Sequence, residues 1–253
     1  MFKKLFSIEE CFRLSSSHIN LRLLGIKFSF TKDSLIGQML YPFRNPIDKG
    51  SNNKVFLINK NGIKKEVKKR KFKSLQIYFR GNNNIVTINE PIKLFRTDIN
   101  IEGNDCNCII EKNASGKMQL LVYGKKASCK IGENTTIADM QIVLMDNEIE
   151  IGSDCMISNN VKVITDTHSV IDINTNKVLN KPTNKIIIGN HVWIGQGATL
   201  TKNAQIPSNC IVATSSVVSK KFEKENCILG GIPAKIIKEN ITWNPLPPNK
   251  YEK

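Results

Sequence analysis

The chain has 253 residues but only three histidines, His18, His168 and His191, and none of its seven cysteines forms a Cys-x-x-Cys pair. A zinc site of the carbonic anhydrase kind needs three imidazoles around one ion, so lyase chemistry of that type is argued against and no metal is expected. The cysteines, Cys11, Cys106, Cys108, Cys129, Cys155, Cys210 and Cys227, are odd in number and lack paired spacing. They read as buried thiols in a reducing compartment, which places the chain in the cytoplasm. No stretch approaches about 18 uninterrupted apolar residues, so a membrane-spanning helix is not expected. The start, MFKKLF, has the look of a signal peptide, yet Glu9 and Glu10 follow at once and no apolar core with a cleavage site appears. It is read as uncleaved. Aromatic residues make up only 7%, and the basic run has Phe72 beside it but no set of interleaved aromatics suited to base stacking and no recognised binding motif. Nucleic acid is therefore not an expected partner.

Positive charge, by contrast, is plentiful: 37 basic residues against 22 acidic ones give +15. Lys60, Lys64, Lys65, Lys68, Lys69, Arg70, Lys71 and Lys73 crowd into fourteen residues. Two readings stand side by side. One is a solvated face combined with the Lys, Asn and Ile bias of an AT-rich genome. The other is a surface that attracts a polyanion, whether acidic polysaccharide, phosphorylated cofactor or anionic membrane.

The strongest pattern lies near the C-terminus. Ile188, Ile194, Leu200, Ile206, Val212 and Val218 recur at strict six-residue spacing, and four residues after each comes Val192, Ala198, Ala204, Cys210, Ser216 and finally Phe222. An α-helix turns every 3.6 residues and would scatter a period of six around its surface. A solenoid with three short strands per coil uses that period, every sixth residue pointing into the same corner of a triangular prism. Ile131 and Ile137, with Thr135 between, repeat the pattern upstream, as do Ile151, Ile157 and Val163 with Cys155 in the small slot. The expected fold class is all-β, a parallel β-helix with an N-terminal cap and a short C-terminal helix and tail.

The expected organisation follows. Residues 1–80 lack the hexad and are assigned to a cap or docking region, with a short amphipathic helix over Phe2–Leu14 and an alternating strand over Ile19–Phe28. Residues 81–227 form the β-helix, poorly in register up to about 128 and interrupted between Ile137 and Ile151. A long excursion over 164–185 replaces a single hexapeptide, and unpatterned stretches of that length are usually functional or disordered. Residues 228–253 give a strand, a Gly-Gly turn, a helical start after Pro233 and a loose tail.

Of the histidines, His18 reads as structural or surface, and His191 sits at a coil corner where side chains face outward. His168 opens the excursion in Asp166-Thr167-His168-Ser169, where a loop leaves a rigid rod. That is a good place for a general base, and a nearby carboxylate or carbonyl would fix its tautomer.

The passages Ile188-Gly189-Asn190-His191-Val192-Trp193-Ile194-Gly195 and Gly230-Gly231-Ile232-Pro233-Ala234-Lys235-Ile236-Ile237, with Asp166-Thr167-His168-Ser169 upstream, resemble the motifs of hexapeptide-repeat acetyltransferases. Together with the Lys238–Trp243 ending, the set is most similar to bacterial capsule and polysialic acid O-acetyltransferases. The resemblance implies a left-handed β-helix, a homotrimer with sites between adjacent chains, and acetyl-CoA as co-substrate. It implies direct O-acetyl transfer to a surface glycan, His168 acting as base. Trp193 would line the acetyl and acceptor pocket, or pack against a neighbouring subunit. Gly195, Gln196, Ala213, Thr214, Ser219 and Lys220 would line the pantetheine groove, and a backbone N–H between Trp193 and Gln196 would face the oxyanion. Lys220, Lys235 and Lys238 are candidates for the coenzyme phosphates, or plain surface. The charge tilts the acceptor toward a polyanionic, sialic acid-containing polysaccharide. A small sugar or nucleotide-amino sugar is the alternative acceptor. A non-catalytic glycan-binding solenoid is the alternative class, and peripheral contact with the inner membrane or a capsule-synthesis complex stays open.

Overall fold

The structure, a computed structural model, describes residues 6–7, 18–23, 26–31, 48–68, 72, 74–165, 168–180 and 185–251. The chain divides into two compact units, Met1–Asn45 and Pro46–Lys253. In the first, Phe6–Ser7, His18–Leu23 and Ile26–Thr31 form a three-stranded antiparallel sheet. The amphipathic helix expected over Phe2–Leu14 is contradicted at Phe6–Ser7, which is strand, and its other residues lie outside those described. The single strand expected over Ile19–Phe28 is two antiparallel strands.

The second unit is a parallel β-solenoid of the left-handed kind. Its first face stacks Gln205–Ile206, Ile186–Ile188, Glu148–Ile151, Ser128–Ile131, Asn107–Ile110, Ile85–Asn89 and Lys54–Ile58, all parallel. Lys64–Val67 closes that sheet antiparallel to Lys54–Ile58. The parallel ladder thus opens at Lys54, upstream of the residue 81 where the hexad reading begins it. On the second face lie Met156–Ile157, Trp193–Ile194, Ile211–Val212 and Ile228–Gly231. The third carries Val161–Ile164, Thr199–Leu200 and Val217–Val218.

Residues six apart do not share one corner, as the spacing alone suggested. They occupy equivalent places on successive faces, and Ile188 stacks on Ile206 and Ile194 on Val212, one full coil on. All six aliphatics from Ile188 to Val218 are buried, as are the compact residues Val192, Ala198, Ala204, Cys210 and Ser216. Vertical neighbours are 18 residues apart at His191 and Asn209, 20 apart at Thr135 and Cys155, and 22 apart at Asn84 and Cys106. The longer early coils explain the lost register upstream. The apparent interruption after Ile137 is a continuous strand, Thr136–Met145, that pairs with both Met156–Ile157 and Val161–Ile164 and so runs over two faces.

The turn from first face to second is made by a residue in the left-handed conformation: Asn113, Asn134, Asp154, His191, Asn209 and Asn226, with φ between 52° and 60°. Asn and Asp tolerate that conformation because their short side chains bond locally. Here they also bond vertically, Asn113 to Asn134 at 2.9 Å and Asn134 to Asp154 at 3.0 Å.

After Pro233 the expected helical start is instead a strand, Ala234–Lys238, antiparallel to Ile228–Gly231. Ile236 and Ile237 are β-branched, and the last coil offers an open sheet edge with unpaired backbone groups, so strand pairing wins. Lys60, Lys64, Lys65 and Lys68 are exposed, with the Lys64 ammonium 4.2 Å from the centre of the Phe56 ring. Lys64 and Lys65 lie on an edge strand, where lysine also discourages strand addition. Lys69, Arg70, Lys71 and Lys73 lie outside the described residues.

Burial pushes the Cys155 thiol up to about 11, against an ordinary 9.0. Because the folded chain holds that proton more tightly, the stabilisation is complete below pH 9 and is lost as pH rises toward 11. Urea midpoints should therefore stay level to about pH 9 and fall beyond it. Cys155→Ala should flatten part of that fall.

Candidate active site

The second face and its two corners gather most of the predicted site. Trp193 follows the left-handed corner at His191, and its ring N–H donates to the Ser158 hydroxyl at 3.3 Å. In the stack, Trp193 lies between Met156 and Ile211, with Ile228 above. The far corner of the same face is built from small residues: Ser158, Gly195, Ala213 and Gly230 follow one another coil by coil. The Ser158 amide donates to Ile194, that of Gly195 to Val212, and that of Ala213 to Leu229.

This column has little room for longer side chains. A Cβ on Gly195 would lie 2.7 Å from the Thr214 nitrogen and 2.8 Å from the Val212 oxygen, both backbone. One on Gly230 would lie 2.9 Å from Ile237 Cδ1 and 3.4 Å from the Ala213 methyl. The result is a strip of short side chains along the corner, with Gly195 and Gly230 buried and Ser158 and Ala213 partly so. Gln196 and Thr214 are exposed beside it. Lys235 pairs with Gly230 across the hairpin and Lys238 with Ile228, and both are exposed. Ser219 and Lys220 stand apart, at the next corner beyond Val217–Val218, and the Lys220 ammonium sits 5.2 Å from the Phe222 ring centre. Among the amides proposed for the oxyanion, those of Trp193 and Gly195 already donate to Cys210 (3.0 Å) and Val212 (2.8 Å).

His168 is exposed and belongs to the excursion that leaves the third face after Ile164 and returns to the first at Ile186. That corner is not one that borders Trp193 or Gly195 along the chain's own coils. The excursion is ordered by its own bonds. The Asn180 side chain donates to the His168 carbonyl and accepts from the Val170 amide, each at 2.8 Å, and Ile171 bridges Val178. Asp172 accepts from the Asn174 and Thr175 amides at 2.8 Å, and those bonds hold its carboxyl below the ordinary carboxylate range. Asp172 thus shapes the turn, and Asp166, the other flanking aspartate, lies outside the described residues. Sequence alone gives no role to Ser158 or Asn209, and names Trp243 only as the end of the Lys238–Trp243 passage. Asn209 was within reach, since it fills the same corner as Asn134 and Asn226.

Over 170 residues the chain is 33% identical to a polysialic acid O-acetyltransferase of Neisseria meningitidis, covering 66% of this chain and 79% of that one. The chain belongs to the hexapeptide-repeat acetyltransferases. A polysialic acid O-acetyltransferase of Escherichia coli O1:K1 is 34% identical over 136 residues, 53% of this acetyltransferase and 43% of that protein. Among solved structures, the polySia-specific acetyltransferase NeuO matches with a TM-score of 0.68 and 27% identity, covering 82% of this chain and 91% of its own. The polysialic acid O-acetyltransferase OatWY matches with 0.67 and 28%, covering 82% and 95%. No family model matches the acetyltransferase. It is an O-acetyltransferase, and among the described residues no cluster of metal-ligating side chains and no helix long and apolar enough to cross a membrane is found.

Gly195→Ala should cost about 1–3 kcal/mol, because its methyl meets backbone that cannot rotate away. Gln196→Ala, on the exposed side, should stay within about 0.5 kcal/mol of the parent. Urea unfolding of the two variants compares them directly.

Proposed function

We propose that this protein transfers the acetyl group of acetyl-CoA to a hydroxyl of an acidic, sialic acid-containing bacterial surface glycan. The single observation that carries the reading is the partly exposed Trp193 beside a column of small residues, Gly195, Ala213 and Gly230, on a chain related to two polysialic acid O-acetyltransferases. A pantetheine arm is thin and extended, and the strip suits it. Lys235 and Lys238, exposed on the hairpin over the same end, suit coenzyme phosphates as point charges. Lys220 and Ser219, one corner away, are less well placed for the same arm. Bound there, acetyl-CoA supplies an electrophilic thioester carbonyl. His168 takes the acceptor hydroxyl proton as the oxygen attacks, and returns it to the sulfur as the carbon–sulfur bond breaks. An amide of the 194–196 turn not committed to the next coil faces the oxyanion.

Base and strip meet only between chains in this reading, so the working unit is a homotrimer. The excursion supports it: Ile173 is 94% exposed, and Val170, Ile171, Val178 and Leu179 are each more than half exposed. Five apolar side chains on one hook need a partner surface, and a neighbouring copy supplies it. The net charge of +15 favours a polyanionic acceptor by raising its local concentration.

Protein, acetyl-CoA and a thiol reagent mixed with sialylated or neutral glycans should release coenzyme A with the sialylated polymer. The product should gain the mass of an acetyl group. His168→Ala should slow release by about 10²–10⁴-fold. Undiminished release from that variant would remove the base assignment, and release with neutral glycans alone would remove the acidic acceptor.

A further inference from the structure

Beyond the hairpin, the C-terminal segment turns back along the rod. The Ile241 amide donates to the Asn226 carbonyl at 3.0 Å, and the Ile241 carbonyl accepts from the Asn226 side-chain amide at 3.1 Å. Two residues later the Trp243 ring N–H donates to the His191 carbonyl at 2.8 Å, across 52 positions of sequence. The indole lies flat on the His191 imidazole, centroids 4.3 Å apart and 8° from parallel. It meets the Trp193 ring at 6.2 Å and 47°. From the next coil, Asn209 Oδ1 fixes the imidazole at 3.1 Å from Nδ1. His191, Trp193 and Trp243 are all partly buried.

The place of His191 is telling. The same left-handed corner holds Asn134, Asp154, Asn209 and Asn226 in other coils, so the backbone there does not call for an imidazole. What an imidazole adds over an asparagine amide is a broad flat face, and Trp243 covers it. Trp193 is otherwise held at its edge, by the bond from its ring nitrogen to Ser158. An edge bond leaves the ring plane free to tilt, whereas a second indole against it does not.

We infer that Trp243 is a positioning residue for acetyl transfer: seated on His191, it fixes the plane of the Trp193 indole, so the C-terminal segment sets the acceptor side of the pocket. The inference rests on the transferase reading of Trp193. Trp243 and His191 sit at the corner opposite the small-residue strip, which the Trp193 ring reaches only through its nitrogen at Ser158, so the effect falls on the acceptor step more than on donor binding.

Trp193 and Trp243 are the chain's two tryptophans, so any Trp243 variant leaves Trp193 as the sole indole reporter. Trp243→Ala should shift Trp193 emission to the red and lower kcat about tenfold or more, while KM for acetyl-CoA stays within about twofold. Trp243→Phe, which keeps a ring, should recover most of both. His191→Asn removes the stacking face but retains a residue suited to the corner, and should reproduce the loss in kcat. Wild-type kcat in His191→Asn would overturn the inference. So would a Trp243→Ala loss matched by equal losses in acetyl-CoA binding and thermal midpoint. Should Trp243→Ala fail to fold, His191→Asn decides alone. Emission is read without turnover: a wild-type protein inactive on every glycan would sink the transferase reading, and unmoved Trp193 emission would sink the brace.

Discussion

Everything in the solenoid depends on one repeated arrangement: each coil hydrogen-bonds to the next chiefly through backbone, with like residues stacked vertically. Ile188 over Ile206, Ile194 over Val212 and Leu200 over Val218 form three continuous buried columns. Parallel pairing of this kind demands sharp corners. A non-glycine residue in the left-handed region costs roughly 1–2 kcal/mol, and the corners require it repeatedly. Asparagine and aspartate reduce that cost by local bonding, and the vertical amide bonds at Asn113, Asn134 and Asp154 offset more of it. The rod is thus stabilised by side chains inside and by side-chain amides along its edge.

That economy of shape constrains where chemistry can sit. Interior positions are committed to aliphatic packing, and most backbone groups are committed to the next coil. What remains are the outward residues of the corners and the segments that leave the rod. The column at Gly195, Ala213 and Gly230 packs coil against coil, its glycines buried, and carries only short side chains. In the proposed function a long thin arm lies along this column, which discriminates poorly by itself. Selectivity in that reading falls to the elements added to the rod, the excursion bearing His168 and the returning C-terminal segment bearing Trp243.

Legibility in the sequence tracks coil length. Between Ile186 and Val218 a coil takes 18 residues, three equal hexads, and the aliphatic period shows every core position. Coils of 20 to 22 residues break the count, although Ile85–Asn89 and Asn107–Ile110 pack the same way. Trp193, Gly195 and the Gly230–Ile237 passage were legible through motifs, because they sit in the regular coils or close on them. The strand Ala234–Lys238 was misread as a helical start, since local propensity gave way to an open sheet edge that only the assembled rod provides. The Trp243–His191 stack was illegible for a different reason. It joins positions 52 apart through the path of a tail, and no periodicity encodes such a path.

The separation of His168 from the strip is the feature with the widest consequence for the proposed function. A hook anchored at one corner of a rigid prism cannot swing to another corner of the same chain without melting the coil that carries it. In the proposed homotrimer no such motion is needed, since the corner of one copy would face the adjacent face of the next. The exposed Ile173 and its apolar neighbours give the hook a reason to lie against a partner, and Asp172 and Asn180 hold its turn in shape before it does. Preorganisation of that kind lowers the entropy lost on assembly. In the same reading the base reaches the thioester only in the assembled protein, which ties activity to the oligomer and guards acetyl-CoA from hydrolysis by lone chains.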